Sequence, residues 1–178
     1  MRLGSLAAVV YAAMIVEAVR ARANERAQFA RGGLEPPGDV YGAMQVAYPA
    51  AFAAMIVEGL GRPAPPVPIL VAGAVLFTAG KALKWWAIAV LGRFWTFRVV
   101  VVPGAPLVAR GPYRFLRHPN YAGVVGELVG TALLAGAAVT GPIAVALFGL
   151  LMLRRIHVEN QWLAATSKGG VSATNRGT

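Results

Sequence analysis

A short polar and aromatic run interrupts the apolar sequence between residues 110 and 121. It reads Arg-Gly-Pro-Tyr-Arg-Phe-Leu-Arg-His-Pro-Asn-Tyr. Polar side chains are costly at the edge of a membrane segment, so Arg117, His118, Asn120 and Tyr121 indicate a functional site. A histidine in such a site can act as a general base. We therefore predict that this run binds a polar ligand or takes part in a reaction.

Pro119 marks the expected start of the helix that follows. Proline suits the first helical turn, and it holds the preceding residue, His118, outside helical geometry. The free N–H groups of such a helix start attract an anion or a carboxylate. One face of the helix then carries Asn120, Gly123, Glu127 and Thr131. The glycines at 123, 126 and 130 permit either close helix packing or a small-molecule pocket.

A second set of polar residues lies at the end of the last apolar segment. Arg155 and Glu159 are one helical turn apart, so by themselves they would form an ordinary helix pair. Glu159 could also accept hydrogen bonds from ribose hydroxyls or from an ammonium group. Either His118 or Glu159 could be the general base, and the sequence does not choose between them.

The composition is that of an all-α integral membrane protein. Of the 178 residues, 57% are hydrophobic and 13% are charged, and the mean hydropathy is +0.60. Two histidines and no cysteine argue against a metal site. The net charge of +10 indicates membrane topology and contact with anionic lipid rather than a nucleic-acid partner.

Five apolar segments predict about five transmembrane helices within one domain at residues 1–165. Each is close to the ~20 residues needed to cross the bilayer. The segments run over residues 3–19, 44–60, 67–91, 121–139 and 142–153, and the last continues as a more polar helix to 163. Residues 166–178 lack apolar content and predict a disordered tail.

Arginines and lysines predict the orientation of these helices. They concentrate in residues 20–42, 92–120 and 154–178, whereas the two other connections contain only Arg62. Because basic loops stay in the cytoplasm, the N-terminus is expected outside and the His118 run at the cytoplasmic side, where it would form a cofactor pocket.

The remaining charged residues have simpler interpretations. Lys81 and Lys84, beside two tryptophans, predict anchors at the membrane interface. Glu127 predicts a buried carboxylate paired with Lys84. Glu17 and Glu58 are expected at helix ends, and residues 35–39 are interpreted as a plain turn-rich loop.

The run Gly-Pro-Tyr-Arg-Phe-Leu-Arg-His-Pro-Asn-Tyr, followed by a glycine-rich helix and by Arg155 and Glu159, resembles the isoprenylcysteine carboxyl methyltransferase family. The resemblance covers about residues 70–165. It implies an integral-membrane enzyme that uses S-adenosylmethionine. It also implies that His118, Pro119 and Tyr121 line the donor pocket and that Arg155 and Glu159 close it. We add Arg117 to the predicted donor-binding residues, and we predict His118, Arg155 and Glu159 as the catalytic residues.

Two features point to a lipophilic acceptor within that family. The stretches 83–96, 101–104 and 158–161 are similar to a bacterial branch that O-methylates alkylpyrones or alkylresorcinols made by type III polyketide synthases. This similarity implies the bacterial cell membrane. Glu159-Asn160 also replaces the two consecutive acidic residues that are usual in the family. We therefore expect such a phenol-like acceptor rather than prenylated cysteine, while carboxyl methylation stays an alternative.

Two other classes of function stay open. Membrane sterol reductases carry a similar His-Pro-Asn-Tyr and bind NADPH there, although they usually have further lysines and tyrosines after the last helix, and residues 166–178 contain no tyrosine. A membrane scaffold would explain the spans but not His118, Tyr121 and Glu159. The expected partners are a lipophilic small molecule and membrane lipid, and the oligomeric state is left open.

Overall fold

A computed structural model describes residues 2–102 and 108–167 of the chain. It contains five α-helices: α1 (Arg2–Phe29), α2 (Tyr41–Leu60), α3 (Val67–Leu91), α4 (Pro119–Ala135) and α5 (Thr140–Ser167). Two 3₁₀ turns, Gly92–Phe94 and Gly111–Arg114, lie in the connection between α3 and α4. The prediction of an all-α protein is confirmed. From residue 168 onward, the predicted tail lies outside the described residues.

Four of these helices, α1, α2, α3 and α5, are long and apolar enough to cross a membrane. Helix α4 has 17 residues, the lower end of the length that spans hydrocarbon. The protein is therefore an integral membrane protein, while a fifth span stays a prediction. Helix α1 continues to Phe29, well past its predicted end at Val19, so Arg20, Arg22 and Arg26 lie on a helix rather than in a loop.

Glycines bring α3 and α4 into backbone contact. A Cβ atom added to Gly80 would lie 2.7 Å from the carbonyl oxygen of Gly123, and one added to Gly123 would lie 2.7 Å from that of Gly80. Gly73 and Gly130 meet in the same way further along the two helices. Of the two roles open to the α4 glycines, close helix packing is the one observed. This packing fixes the start of α4 against the second half of α3.

The two short connections meet at one end of the bundle. Glu58, in the last turn of α2, accepts hydrogen bonds from the amides of Val139 (3.1 Å) and Thr140 (2.7 Å) at the start of α5. Its side chain thus satisfies amides that have no partner within the helix they begin. Glu58 therefore lies at a helix end, as predicted.

The long basic connections meet at the other end. Leu34, between α1 and α2, exchanges two backbone hydrogen bonds of 2.9 Å with Val101, between α3 and α4. Glu35 pairs with Arg98 at 2.9 Å, and this hydrogen bond is the main cause that raises the pKa of Arg98. The basic connections therefore share one end, as the charge distribution requires.

This arrangement predicts the outcome of reporter fusions. Fusions after Gly33 and after Arg110 should report the cytoplasm, and a fusion after Arg62 should report the outside, because basic loops resist export. Alkaline phosphatase and a fluorescent protein, fused in turn at the three sites, would measure this, because the first reporter is active outside the cytoplasm and the second inside it. A cytoplasmic signal after Arg62, with external signals at the other two sites, would reverse the orientation.

Candidate active site

Three of the predicted site residues come together where α4 begins and α5 ends. His118 is the residue that precedes α4, and its ring stacks on that of Tyr121 at a centroid distance of 5.5 Å. Its Nδ1 lies 3.9 Å from Oε2 of Glu159 on α5. Both side chains are partly exposed, at 22% and 32%. A polar ligand can therefore reach the His118–Glu159 pair from the aqueous side.

The start of α4 takes its geometry from Pro119, which is buried. His118 has φ −129° and ψ 64°, outside the helical region, as expected for a residue before proline. Its carbonyl oxygen accepts the amides of Tyr121 (3.1 Å) and Ala122 (3.3 Å). The predicted helix start is confirmed. Arg117 is exposed beside it.

Tyr113 belongs to the same group, although the sequence analysis did not select it. It is half-buried in the 3₁₀ turn before α4. Burial, followed by the negative charge of Glu159 and the nearby Tyr121, raises the pKa of Tyr113. Tyr113 is therefore a neutral phenol at neutral pH and can donate a hydrogen bond. Its position in the same run as His118 was the signal available in the sequence.

Arg155 lies deeper than the His118–Glu159 pair, with 7% of its surface exposed. Its Nη1 lies 3.9 Å from Oδ1 of Asp39 and 3.9 Å from Sδ of Met44. Arg155 is thus paired with Asp39 across the bundle rather than with Glu159 along its own helix. The alternative of an ordinary helix pair is wrong, because the guanidinium turns inward toward α2.

Asp39 corrects the interpretation of residues 35–39 as a plain loop. Its carboxylate accepts hydrogen bonds from the amides of Tyr41 (3.1 Å) and Val99 (3.0 Å), in addition to facing Arg155. It therefore ties the starting turn of α2 to the connection between α3 and α4. An acidic residue two positions before an apolar helix was the signal that could have indicated this role.

A cavity of about 350 Å³ lies between the helices below this group. Its polar end is formed by Asn120, Tyr121 and Arg155, and most of its remaining wall is apolar. Asn120 Oδ1 and Arg155 Nε are buried there without a hydrogen-bond partner, which is uncommon unless a ligand or water completes the site. Ile15 of α1 lines the cavity and is also exposed on the outer surface, so the cavity reaches the lipid-facing side.

Tyr121 is the residue that joins the two regions. It stacks on His118 and also lines the cavity, and the Arg155 guanidinium lies beside its hydroxyl. Helices α1 and α2 form much of the wall, although they lie outside the region of resemblance. A partly exposed polar pair and a largely apolar cavity therefore meet at one tyrosine.

The lysines of α3 pair with carboxylates of α1 and α4. Lys84 is buried, 2% exposed, and Lys81 and Lys84 both pair with Glu17 and Glu127. The interpretation as an anchor is wrong for Lys84, whereas Lys81 keeps 18% of its side chain exposed. The expectation that Glu17 lies at a helix end is also wrong, because α1 continues to Phe29 and the Glu17 carboxylate is buried against Lys84 of α3. The pairing of Glu127 with Lys84 occurs at 3.6 Å, and Glu127 lies closer to Lys81, at 2.8 Å.

These features belong to a helical membrane protein in which a partly exposed polar pair adjoins a largely apolar cavity. The model of the isoprenylcysteine carboxyl methyltransferase family matches residues 72–165, which include both sides of the His118–Glu159 pair. The chain belongs to this family, and the protein is accordingly a membrane methyltransferase. The matched region begins near the start of α3, close to the limit implied by the sequence.

Two bacterial relatives cover more of the chain. An uncharacterized protein of Bacillus subtilis strain 168, YpbQ, is 30% identical over 158 residues, which are 89% of this chain and 94% of the relative. An uncharacterized protein of Haemophilus influenzae strain Rd is 23% identical over 137 residues, 76% of this chain and 80% of the relative. No solved structure matches the chain.

Proposed function

We propose that this protein transfers a methyl group from S-adenosylmethionine to a hydroxyl oxygen of a lipophilic acceptor. The observation that carries the proposal is the junction at Tyr121, where the polar site meets the apolar cavity. Methyl transfer requires a polar donor and an oxygen nucleophile in line, and proximity with orientation can supply much of the catalysis. A junction between two such sites meets that requirement for a water-soluble donor and a lipid-soluble acceptor.

The polar residues fit the donor. S-adenosylmethionine supplies, when bound, a methyl group on a positively charged sulfur that is already electrophilic. Glu159 can accept hydrogen bonds from ribose hydroxyls or an ammonium group, and the exposed Arg117 can pair with a carboxylate. The unpartnered Asn120 Oδ1 offers one more acceptor at the junction. These side chains bind and orient, and the stacked His118 and Tyr121 rings present an apolar face.

The cavity fits an acceptor with an acidic hydroxyl, such as an alkylpyrone or an alkylresorcinol. Arg155 lies at its polar end with one buried N–H unused, so it can donate to an oxygen that carries negative charge. His118 or Glu159 then serves as the base that takes the hydroxyl proton. The lipid-facing opening beside Ile15 admits an alkyl chain, and each buried CH₂ contributes about 0.8 kcal/mol.

The acceptor class is tested by offering several acceptors in parallel. Membranes that contain the protein, supplied with donor labelled in its methyl group, should label alkylpyrone or alkylresorcinol more than a prenylcysteine analogue. Turnover should rise with alkyl length until the cavity is filled, because apolar burial grows with each CH₂. Membranes without the protein provide the background. Preferential labelling of the prenylcysteine, with methanol released by mild base, would instead assign carboxyl methylation.

A further inference from the structure

A cluster of four charged residues, three of them buried, lies where α1, α3 and α4 meet. Lys84 Nζ lies 2.6 Å from Glu17 Oε2, and Lys81 Nζ lies 2.8 Å from Glu127 Oε2. Two longer pairs, Lys81–Glu17 at 3.3 Å and Lys84–Glu127 at 3.6 Å, close the cluster. The Tyr48 hydroxyl of α2 donates to Glu127 at 2.6 Å and accepts from Lys84 at 3.3 Å. We call these four charged residues the charge cluster.

Helix attachment alone is a weak explanation for the charge cluster. Removing charges from water costs several kcal/mol for each ion, and well-packed apolar residues often hold helices together equally well. Inside a membrane, ionisable residues more often mark the path or site of a ligand. The cluster is electrically neutral, with two carboxylates and two ammonium groups, so it can persist there without a bound ion.

One of the two short pairs faces the cavity and the other does not. Glu17 and Lys84 line the cavity, together with Tyr48, whereas Lys81 and Glu127 do not. Glu17 meets one ammonium group at each of its two oxygens, while a carboxylate offers about four acceptor positions. Glu17 can therefore accept a further hydrogen bond from a group inside the cavity.

The Glu17–Lys84 pair lines the cavity at a different depth from Arg155. On α2, Met44 contacts Arg155 and Tyr48 contacts Lys84, and four residues of helix correspond to a rise of about 6 Å. On α4, six residues separate Tyr121 from Glu127 of the charge cluster, a rise of about 9 Å. The cavity thus presents two separate polar groups on a largely apolar wall.

We propose that the Glu17–Lys84 pair binds a second hydroxyl group of the acceptor, roughly 6–9 Å along the bundle from the oxygen that is methylated. This inference rests on the proposed function for the position of the methylated oxygen. The second hydroxyl donates to Oε2 of Glu17, which is buried and has no hydrogen-bond partner besides its ion pair with Lys84. A buried carboxylate oxygen rejects an analogue that lacks the hydroxyl, because the analogue would leave that oxygen without a hydroxyl donor. The preferred acceptor is therefore a lipophilic molecule with two separated hydroxyls.

The test uses two phenols that differ in one group. 4-(3-Hydroxypropyl)phenol carries a terminal hydroxyl where 4-butylphenol carries a methyl, at nearly equal length. Each would displace a fluorescent lipophilic dye from the purified full-length protein in detergent. The measured quantity is the ratio of the two dissociation constants. We expect the double variant Glu17→Gln/Lys84→Met to reduce the preference for the hydroxylated phenol on the order of tenfold, the worth of a hydrogen bond to a charged group.

The matched control is Lys81→Met/Glu127→Gln. It also removes one carboxylate and one ammonium group from the charge cluster, but neither residue lines the cavity, so it should keep the wild-type ratio. Both phenols partition into the same detergent in every sample. The effect of that partition on the ratio of dissociation constants is therefore the same for every variant and cancels when variants are compared. An equal loss of preference in both double variants, or an unchanged ratio in the first, would overturn the proposal.

The wild-type protein provides a test that does not depend on the folding of any variant. Its preference for the hydroxylated phenol must exceed the preference expected from detergent partition alone, and equality would also overturn the proposal. Dye displacement needs neither donor nor methyl transfer. Failure of the proposed function would appear separately, as absent labelling of every acceptor while the phenol preference persists.

Discussion

His118→Ala and Glu159→Ala should each abolish measurable binding of S-adenosylmethionine while the protein still inserts and purifies. The wild-type protein should bind it with micromolar affinity, about 8 kcal/mol. Glu159 supplies the carboxylate of the polar site. The His118 ring lies beside that carboxylate and also stacks on the ring of Tyr121. Both side chains are partly exposed, so their removal leaves little void in the bundle. Isothermal titration of detergent-solubilised protein measures the loss.

His157→Ala is the matched control for this experiment. His157 lies two positions before Glu159 on α5, is exposed, and pairs with Gln161 at 2.8 Å rather than with the site. It should bind the donor as the wild type does. Wild-type affinity in both the His118 and the Glu159 variant would remove the proposed site. Parallel titration with NADPH should show no binding, and saturable binding of NADPH instead would restore the reductase interpretation.

Gly80→Ala should destabilise the bundle, although the change adds a single methyl group. The new Cβ atom would meet the Gly123 oxygen at 2.7 Å and the Glu127 amide nitrogen at 2.9 Å. These are backbone atoms of α4, so the contact is relieved only by separating two helices, and overpacking of this kind costs about 1–3 kcal/mol. The midpoint of thermal unfolding should fall, and donor affinity should fall with it, because α3 positions the start of α4.

Gly149→Ala provides a control of opposite sign. Gly149 lies within α5, and a Cβ atom added there would have no neighbour within 4 Å. Alanine is favoured over glycine in a helix interior by about 0.5–1 kcal/mol, so this variant should unfold at the same temperature as the wild type or higher. Equal effects of the two substitutions would show that backbone contact between α3 and α4 does not determine stability.

The sequence by itself determined the class of fold and the polar face of the site. Apolar segments of bilayer length must be helical, because every backbone N–H and C=O needs a partner within the segment. Pro119 determined where α4 begins, since proline restricts the residue before it. His118 and Glu159 could be paired in advance because the family resemblance joined two motifs that lie far apart in the chain.

Only the tertiary structure decided which charges meet. Lys84 has the appearance of an interfacial anchor in the sequence, yet it is buried against Glu17 of another helix. Arg155 has a carboxylate one turn away at Glu159, yet it faces Asp39. Which partner a side chain reaches depends on how α1 and α2 rotate and pack against the other helices. Hydropathy and residue spacing predict where a helix lies in the chain. The rotation of each helix about its own axis is set by packing against the other helices.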